Sequence, residues 1–361
     1  MRIALIAPPF ITVPPRRYGG TELFIGHLAE GLKQKGIDVV LYTNGDSTAD
    51  VEIKSLYPHS EWPLEGEIFG NLKDVNHTTW AIADAARDCD IIHLNNAPGL
   101  ASSRFVDLPF VYTVHHPHEQ ALSDFYAHFP DVYYVAISEF QCSLEHMPRR
   151  TAIHHGIEIS DYKFQEEKQP YLSFIGRLAP VKGPHLAIEV AKKTGIPLKI
   201  AGEVQPLYKS YFESQIKPHL DGRFIEYVGE ADLAAKNELL GNSMAMLFPI
   251  EWNEPFGLVM IEAMACGTPV LAFRRGSVPE IVRDGVSGFV CDTVEEMVAR
   301  VRDLSISPLL IHQYAREHFS VEVMTRRYLE LYESIDGVGE TIELAPADTL
   351  SVIVEPGATA A

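Results

Sequence analysis

Cysteines, basic residues and long apolar runs are all scarce in this chain of 361 residues. The four cysteines lie far apart and form no C-x-x-C pair: Cys89, Cys142, Cys266 and Cys291. This spacing favours reduced, buried thiols in a cytoplasmic protein over a disulfide framework or a cysteine zinc site. No stretch reaches the about eighteen apolar residues of a membrane span. Pro8 and Pro9 end the N-terminal apolar run too early for a signal peptide. We therefore expect neither a membrane span nor a signal peptide.

The charge balance of the chain is strongly acidic. It has 49 Asp and Glu against 30 Lys and Arg, a formal net charge of −19. An excess of this size repels nucleic acid backbones and anionic lipid unless a local basic patch overrides it. We therefore expect no nucleic-acid partner, and at most a peripheral membrane contact through the loop with Arg16 and Arg17. The content of 46% apolar and 22% charged residues excludes a collagenous or disordered chain.

Short β-branched runs alternate with helical patterns from the first residues onward. Such alternation predicts parallel sheets covered by helices, and the length at about 100 to 200 residues per domain predicts two domains. We predict an α/β fold of two Rossmann-like, doubly wound domains that face each other across a cleft, with a polar boundary at 159–169. The predicted segments are a first domain over 1–160, a second over 161–320, a helix over 321–336 that packs back toward the first domain, and a disordered acidic tail over 337–361.

Ligands of open α/β sheets bind where the strands end, so the loops after strands are the candidate site. The loop after the first predicted strand ends at Gly19 and Gly20, just before a helix. Two glycines there let a ligand approach free amides at the positive end of the helix dipole, which suits phosphate or sugar oxygens. The alternative is a flexible loop that meets a helix cap.

The first loop of the second predicted domain has the sequence GRLAPVKG and begins at Gly176. It places two cations, Arg177 and Lys182, after one strand, an arrangement that suits a diphosphate. The spacing is neither G-x-G-x-x-G nor that of a P-loop, so it indicates no nicotinamide cofactor and no P-loop nucleotide site. The alternative is a solvated loop with two ordinary bases.

The passage over 249–269 holds two acids with seven residues between them. Glu254 precedes a predicted helix and Glu262 lies inside it, so both carboxylates can face one elongated ligand. A glutamate in an otherwise apolar helix is costly to bury without a partner, and ligand hydroxyls are one such partner. The helix opens at Phe256, Gly257 and Leu258, whose amides can meet an anion. The alternative is a helix that carries Glu262 on an exposed face.

The E-P-F-G-L-x-x-x-E passage, the G-R-L-x-x-x-K-G loop and the early glycine pair together resemble glycosyltransferase family 4. The resemblance runs from residue 1 to about 335. It implies the GT-B architecture, with a first domain for the acceptor and a second for the donor, and it implies retaining transfer from nucleotide-activated sugars.

The resemblance also implies roles for the residues of the second domain. Arg177 and Lys182 would hold the donor diphosphate, and Glu262 would accept hydrogen bonds from the ribose hydroxyls. Glu254 would contact hydroxyls of the donor sugar, assisted by the backbone at Phe256, Gly257 and Leu258. Apart from the resemblance, Gly176 and Glu203 each follow a predicted strand, and this position predicts contact with the donor nucleotide. The family often has a serine where this chain has Ile250.

In the first domain, the resemblance implies that Gly19 and Gly20 face the diphosphate and the acceptor. His115, at the end of the predicted strand VYTVH, matches the family's active-site histidine, but His116 follows it directly, and the sequence leaves the choice between them open. With the diphosphate charge held by Arg177 and Lys182, the expected enzyme needs no metal and no cofactor.

We therefore expect a retaining hexosyltransferase that uses a nucleoside-diphosphate sugar and a saccharide, a lipid-linked sugar or a small molecule as acceptor. The alternatives are a sugar-nucleotide epimerase of the same architecture and a non-catalytic sugar-nucleotide-binding protein. Other polar motifs are interpreted as structural or as weak candidates: the pair Asp88 and Asp90, His118, Ser138 with Glu139, the pair His154 and His155, and Glu280.

Overall fold

A computed structural model describes residues 1–16, 19–62 and 66–336, and Arg17 and the predicted tail over 337–361 lie outside the described residues. The first sheet is parallel, with the strand order β3-β2-β1-β4-β5-β6-β7. Its strands are β1 (Arg2–Ile6), β2 (Asp38–Thr43), β3 (Glu52–Ser55), β4 (Ile91–Leu94), β5 (Phe110–Val114), β6 (Tyr133–Ala136) and β7 (Arg150–Ala152). Its helices are α1 (Gly20–Gln34), α2 (Glu67–Ala85), α3 (Gln120–Tyr126) and α4 (Glu139–Leu144), with 3₁₀ turns at Ala97–Arg104 and Ile159–Asp161.

The second sheet is also parallel, with the strand order β10-β9-β8-β11-β12-β13. Its strands are β8 (Gln169–Ile175), β9 (Leu198–Ala201), β10 (Ile225–Gly229), β11 (Ser243–Phe248), β12 (Val270–Phe273) and β13 (Gly288–Cys291). The helices are α5 (Pro184–Thr194), α6 (Lys209–Tyr211), α7 (Leu233–Asn242), α8 (Leu258–Ala265), α9 (Val278–Ile281), α10 (Val294–Arg302), α11 (Pro308–Phe319) and α12 (Val321–Asp336). Two parallel sheets, each covered by helices, confirm the predicted α/β class. The predicted boundary after residue 160 falls between β7 and β8.

Each sheet is covered on both faces by apolar side chains. In α1, Phe24, Ile25, Leu28 and Leu32 are buried and pack toward the first sheet, as a helix with apolar residues three or four apart must do. The strands over which they lie are buried almost without interruption, as central parallel strands are.

The last helix returns from the second domain to the first. Phe319 at the end of α11 accepts a hydrogen bond from the amide of Ile157, and α12 then packs on the first sheet beside α1. Tyr328 and Tyr332 of α12 are fully buried. Their hydroxyls lie 2.9 Å from Thr113 Oγ1 and 2.6 Å from His93 Nδ1, so polar contacts fix this helix in register with the first sheet.

The apolar pattern over 207–220 predicts one continuous α-helix, and this prediction is wrong. The structure has a 3₁₀ turn, the three residues of α6, a π turn at Phe212–Ile216 and a second 3₁₀ turn at Lys217–His219. Pro218 lacks the amide donor that an α-helix needs, which explains why the helical ladder does not continue through this point.

No helix within the described ranges combines the length and apolar character that crossing a membrane requires. The pair Asp88 and Asp90 lies at the amino end of the first sheet. Asp90 accepts a hydrogen bond from the backbone amide of Arg2 at 2.6 Å, and Asp88 lies 3.5 Å from the Arg2 guanidinium. The two carboxylates therefore anchor the start of β1, away from the strand ends where a ligand binds.

Candidate active site

The loops that follow β8 and β9 touch each other at the carboxyl end of the second sheet. Gly202 has φ +151°, and a Cβ atom at this position would lie 1.8 Å from the carbonyl oxygen of Gly176, so only glycine fits. The carbonyl of Glu203 accepts a hydrogen bond from the amide of Leu178, which binds Glu203 to the G-R-L loop. Its carboxylate accepts from Gln205 at 3.0 Å. Gly176 and Glu203 thus lie together, where the sequence predicts the donor site.

Arg177 and Lys182 have different surroundings. Within the described part of the chain, the Arg177 guanidinium, which is half-buried, has no hydrogen-bond or ion-pair partner. Lys182 Nζ lies 2.5 Å from Glu254 Oε2 and 4.7 Å from the ring centroid of Trp252. Burial lowers the pKa of Lys182, the Glu254 carboxylate opposes that shift, and the nearby charge of Arg177 adds to it. The loop therefore holds one unpaired cation beside one paired cation.

The ion pair joins two residues that the sequence analysis assigns to different parts of the donor. Glu254 is 7% exposed, and its carboxylate also accepts a hydrogen bond from Trp252 Nε1 at 3.0 Å. The loop before α9 contacts the same backbone, since the amide of Ser277 donates a hydrogen bond to the carbonyl of Glu254. Lys182 and Glu254 thus neutralise each other where the two loops meet.

The start of α8 presents backbone donors. The amides of Phe256, Gly257 and Leu258 have no acceptor among the residues that the structure describes. Free amides at a helix start, at the positive end of the helix dipole, favour a negatively charged ligand. The side chain of Phe256 itself is buried against His154, His155 and Phe319, so only its backbone is available to a ligand.

Glu262 is not on an exposed face of α8, since only 2% of it is exposed. Its Oε1 atom accepts hydrogen bonds from Lys236 Nζ at 2.8 Å and from the Tyr162 hydroxyl at 3.2 Å. Its Oε2 atom is buried and has no partner among the described residues. Protein groups therefore supply a partner for one oxygen of Glu262 and, within the described residues, none for the other.

The glycine pair of the first domain lies opposite this helix start. Gly19 precedes α1 with φ +144°, and a Cβ there would meet the Glu22 carboxylate at 2.7 Å. A Cβ on Gly20 would lie 3.6 Å from Leu258 Cδ1. The N-termini of α1 and α8 therefore face each other across the gap between the domains.

The structure separates the two candidate histidines by their hydrogen bonds. Both ring nitrogens of His116 are occupied, Nδ1 by the Pro117 carbonyl at 2.7 Å and Nε2 by the Tyr126 hydroxyl at 2.6 Å. His115 Nε2 lies 2.9 Å from Asn95 Oδ1, and its Nδ1 has no partner within the described ranges. Burial lowers the pKa of His115 to about 3, so it is a neutral imidazole at neutral pH. This geometry favours His115 over His116 for contact with a ligand.

Several residues near the site lie outside the predicted set. His155 stacks on His115 with ring centroids 5.7 Å apart, and its buried Nδ1 has no partner among the described residues. Glu280, interpreted from the sequence as a weak candidate, bridges the two domains by accepting from His154 at 2.8 Å and from the amide of Glu139 at 2.7 Å. The sequence signal for these contacts is limited to a histidine pair and a glutamate near the start of a short helix.

Two family models match the chain. One, described as Glycosyltransferase Family 4, matches residues 18–149, and the other, described as Glycosyl transferases group 1, matches residues 157–318. The chain is a family 4-type glycosyltransferase. The matches confirm the resemblance predicted from the glycine pair, the cationic loop and the paired acids.

Curated relatives of this glycosyltransferase cover different shares of it. Glycogen synthase of Mycobacterium tuberculosis is 26% identical over 88% of this chain and 89% of its own length. D-inositol 3-phosphate glycosyltransferase of Mycolicibacterium smegmatis is 32% identical over 34% of this chain and 29% of its own length.

Solved structures share the fold of this glycosyltransferase. Sucrose-phosphate synthase from Thermosynechococcus elongatus covers 92% of this chain and 98% of its own, with a TM-score of 0.74 and 17% identity. The Anabaena HepE structure, solved in complex with UDP-glucose, covers 92% of this chain and 100% of its own, with a TM-score of 0.70 and 18% identity. These likenesses confirm the predicted GT-B architecture.

Proposed function

We propose that this glycosyltransferase moves a hexosyl unit from a nucleoside-diphosphate sugar to an acceptor hydroxyl with retention of configuration, without a metal ion or cofactor. The observation that carries the proposal is the half-buried Arg177, a cation with no protein partner in the described chain, at the end of β8 and beside Lys182. A diphosphate supplies the two or more negative charges that such a loop can pair.

Donor binding would exchange the partner of Lys182. In this structure Lys182 is neutralised by Glu254, 2.5 Å away. A diphosphate between Arg177 and the amides at the start of α8 would draw Lys182 to itself and leave the Glu254 carboxylate free to accept a sugar hydroxyl. The ion pair would thus keep both side chains neutralised until the donor binds.

Cleavage of the anomeric C–O bond places negative charge on the departing diphosphate. Fixed cations at Arg177 and Lys182 stabilise that charge more in the transition state than in the ground state, which accelerates the step. Departure and attack on the same face of the sugar explain retention, with a donor phosphate oxygen taking the acceptor proton. His115 stays neutral and would contribute hydrogen bonds to the sugar.

The relatives support a nucleotide-sugar donor and a hexosyl unit. The HepE structure was solved with UDP-glucose, and the relatives named above are called glycogen synthase and sucrose-phosphate synthase. The transfer of their donor and sugar class to this chain is part of the proposal.

A donor screen followed by product analysis tests the proposal. UDP-, GDP- and ADP-glucose are compared by thermal shift, because a ligand that binds only the folded state raises the melting temperature. The best donor is then incubated with a panel of saccharide acceptors, and the anomeric configuration of the product is read by NMR. A new glycoside with the donor's configuration supports the proposal. Inversion, an altered hexose without transfer, or binding without any product would overturn it.

A further inference from the structure

A cavity of about 220 Å³ lies between the two domains, directly beside the loop of Glu254. Most of its wall is apolar and comes from both domains: Pro117, Phe140, Leu144, Trp252 and Pro255. The volume is below the about 300 Å³ at which pockets take drug-sized ligands, so the cavity suits one ring-sized group.

Three polar side chains also line the cavity, but one of them is already satisfied. The Gln141 amide accepts from the amide of Ile137 at 2.8 Å and donates to the carbonyls of Val114 and His116 at 3.2 and 2.7 Å. Its hydrogen-bonding capacity is therefore used by the first domain itself, and the polar contacts left for a ligand are His118 and Asn253.

His118 is held by a buried carboxylate. Its Nδ1 lies 3.1 Å from Glu145 Oε1, and Glu145 is only 2% exposed. A carboxylate in this position fixes the ring orientation and leaves Nδ1 as the donor. Nε2 of His118 has no hydrogen-bond partner within the described ranges, and the side chain is 19% exposed. The pair therefore offers one oriented nitrogen at the cavity wall.

We propose that this cavity binds an apolar, ring-sized moiety of the acceptor, such as an aryl group, and that His118 Nε2 hydrogen-bonds a polar atom at the edge of that moiety. The inference rests on the proposed transferase function and narrows its acceptor class. A sugar ring in the cavity would bring several hydroxyls against two free polar side chains, and each unpaired hydroxyl is costly to bury. An aryl ring leaves no such groups unpaired.

The experiment compares acceptors that differ only in the aglycone. Once the donor screen has identified the nucleotide sugar, transfer to 4-nitrophenyl and to methyl glycosides of glucose, galactose and mannose is measured as a function of acceptor concentration. We expect at least one 4-nitrophenyl glycoside to have a KM about tenfold below that of its methyl counterpart, because the ring removes apolar surface from water. Equal KM values in every pair would overturn the proposal.

Variants then locate the effect in the cavity. His118→Ala should raise the KM of the preferred aryl glycoside about tenfold, the equivalent of one hydrogen bond. The affinity for the nucleoside diphosphate of the identified donor, measured by calorimetry, should change less than twofold. His146→Ala is the matched control, since its ring lies 6.4 Å from His118 but does not line the cavity. An unchanged KM in His118→Ala would overturn the role of His118.

Glu145 is a positioning residue in this proposal, and its test separates position from folding. Glu145→Gln keeps an oxygen that accepts from His118 Nδ1 and should retain the acceptor KM within about threefold, whereas Glu145→Leu should raise it as His118→Ala does. Both variants should bind the nucleoside diphosphate of the identified donor as the parent does. Equal acceptor KM values for the two variants would overturn the positioning role.

The outcomes also separate this inference from the proposed function. If nucleotide sugar still binds and methyl glycosides are glycosylated while aryl glycosides gain nothing, the cavity proposal fails alone. If no nucleotide sugar binds and no glycoside forms, the proposed function fails and the cavity proposal falls with it.

Discussion

The Glu280 carboxylate of the second domain lies 2.8 Å from His154 Nε2 of the first domain. The same carboxylate accepts hydrogen bonds from the backbone amides of Glu139 and Phe140, at 2.7 and 3.0 Å. One acid of α9 thus satisfies the first amides of α4, which a helix leaves without internal partners, and holds the two domains together beside the cleft.

Glu280→Ala should loosen this contact between the domains. Hydrogen bonds to a charged group contribute about 1.5 to 3 kcal/mol, so the free energy of unfolding should fall by an amount of that order. Amide hydrogen exchange at residues 139 and 140 should accelerate. Glu226→Ala, which removes an exposed acid of the same domain, is the control. Unchanged exchange at α4 in Glu280→Ala would show that the bridge does not hold the domains.

Much of the fold could be predicted because buried parallel strands read as continuous apolar runs. Two strands, β3 and β13, lack such a run and are not predicted from the sequence. β3 (Glu52–Ser55) is a half-exposed edge strand with alternating charges, and β13 (Gly288–Cys291) is four residues long, so neither produces a long apolar run. Proline marks the other failure, since Pro218 breaks the helix predicted over 207–220.

Those parts of the site that lie in loops after strands could be predicted from the sequence. Contacts that form only when two helices pack together could not. Arg177, Lys182 and Glu254 follow neighbouring strands and could be grouped from that alone. The ion pair between Lys236 and Glu262 could not, because it forms only when α7 packs beside α8. The apolar character of α8 shows that Glu262 needs a partner, but it does not identify which group supplies one.

His93 should make the stability of the protein sensitive to acid. It is fully buried between Tyr332 and Thr113, and burial lowers its pKa to about 3. The unfolded chain takes up a proton at His93 below about pH 6.5, whereas the folded chain does not until about pH 3. The free energy of unfolding therefore keeps the whole contribution of His93 above about pH 6.5 and loses it progressively as the pH falls toward 3. At pH 5 the loss amounts to about 2 kcal/mol.

Urea unfolding of His93→Gln at pH 7, 6 and 5 measures this contribution. The variant should be less stable at pH 7 but should lose about 2 kcal/mol less than the parent between pH 7 and pH 5. His59→Gln is the control, because the His59 side chain is 77% exposed. A parallel decline in His93→Gln and the parent would contradict the assignment.

Transfer should not depend on a divalent cation. In the proposed mechanism, Arg177 and Lys182 meet the charge that develops on the diphosphate and supply the stabilisation that a metal ion provides in other transferases. The D-x-D pair Asp88 and Asp90 anchors Arg2 at the amino end of the first sheet. Initial rates at a saturating EDTA concentration of roughly 5 mM should equal those without it within about twofold. Loss of activity in EDTA that Mn²⁺ or Mg²⁺ restores would refute metal independence.

Arg177→Ala removes the unpaired cation of the G-R-L loop. Deletion of one group that stabilises transition-state charge costs about 2 to 4 kcal/mol, so kcat/KM for the donor should fall about 30- to 900-fold. The fold should be unaffected, since Arg177 makes no hydrogen bond or ion pair within the described residues whose loss could destabilise it. Arg177→Lys should recover part of the loss, because it restores the charge but not the planar, bidentate guanidinium.

Arg274→Ala is the control for Arg177→Ala, because it deletes an arginine of the same domain that pairs with Asp292 on the surface. It should keep kcat/KM within about twofold, as exposed ion pairs contribute little. The melting temperatures of both variants should match that of the parent in the absence of nucleotide, so that only the donor-dependent readouts differ. If Arg177→Ala turned over within threefold of the parent, the departing diphosphate would have to be stabilised elsewhere, and Lys182 with the amides of α8 would be the groups left to do it.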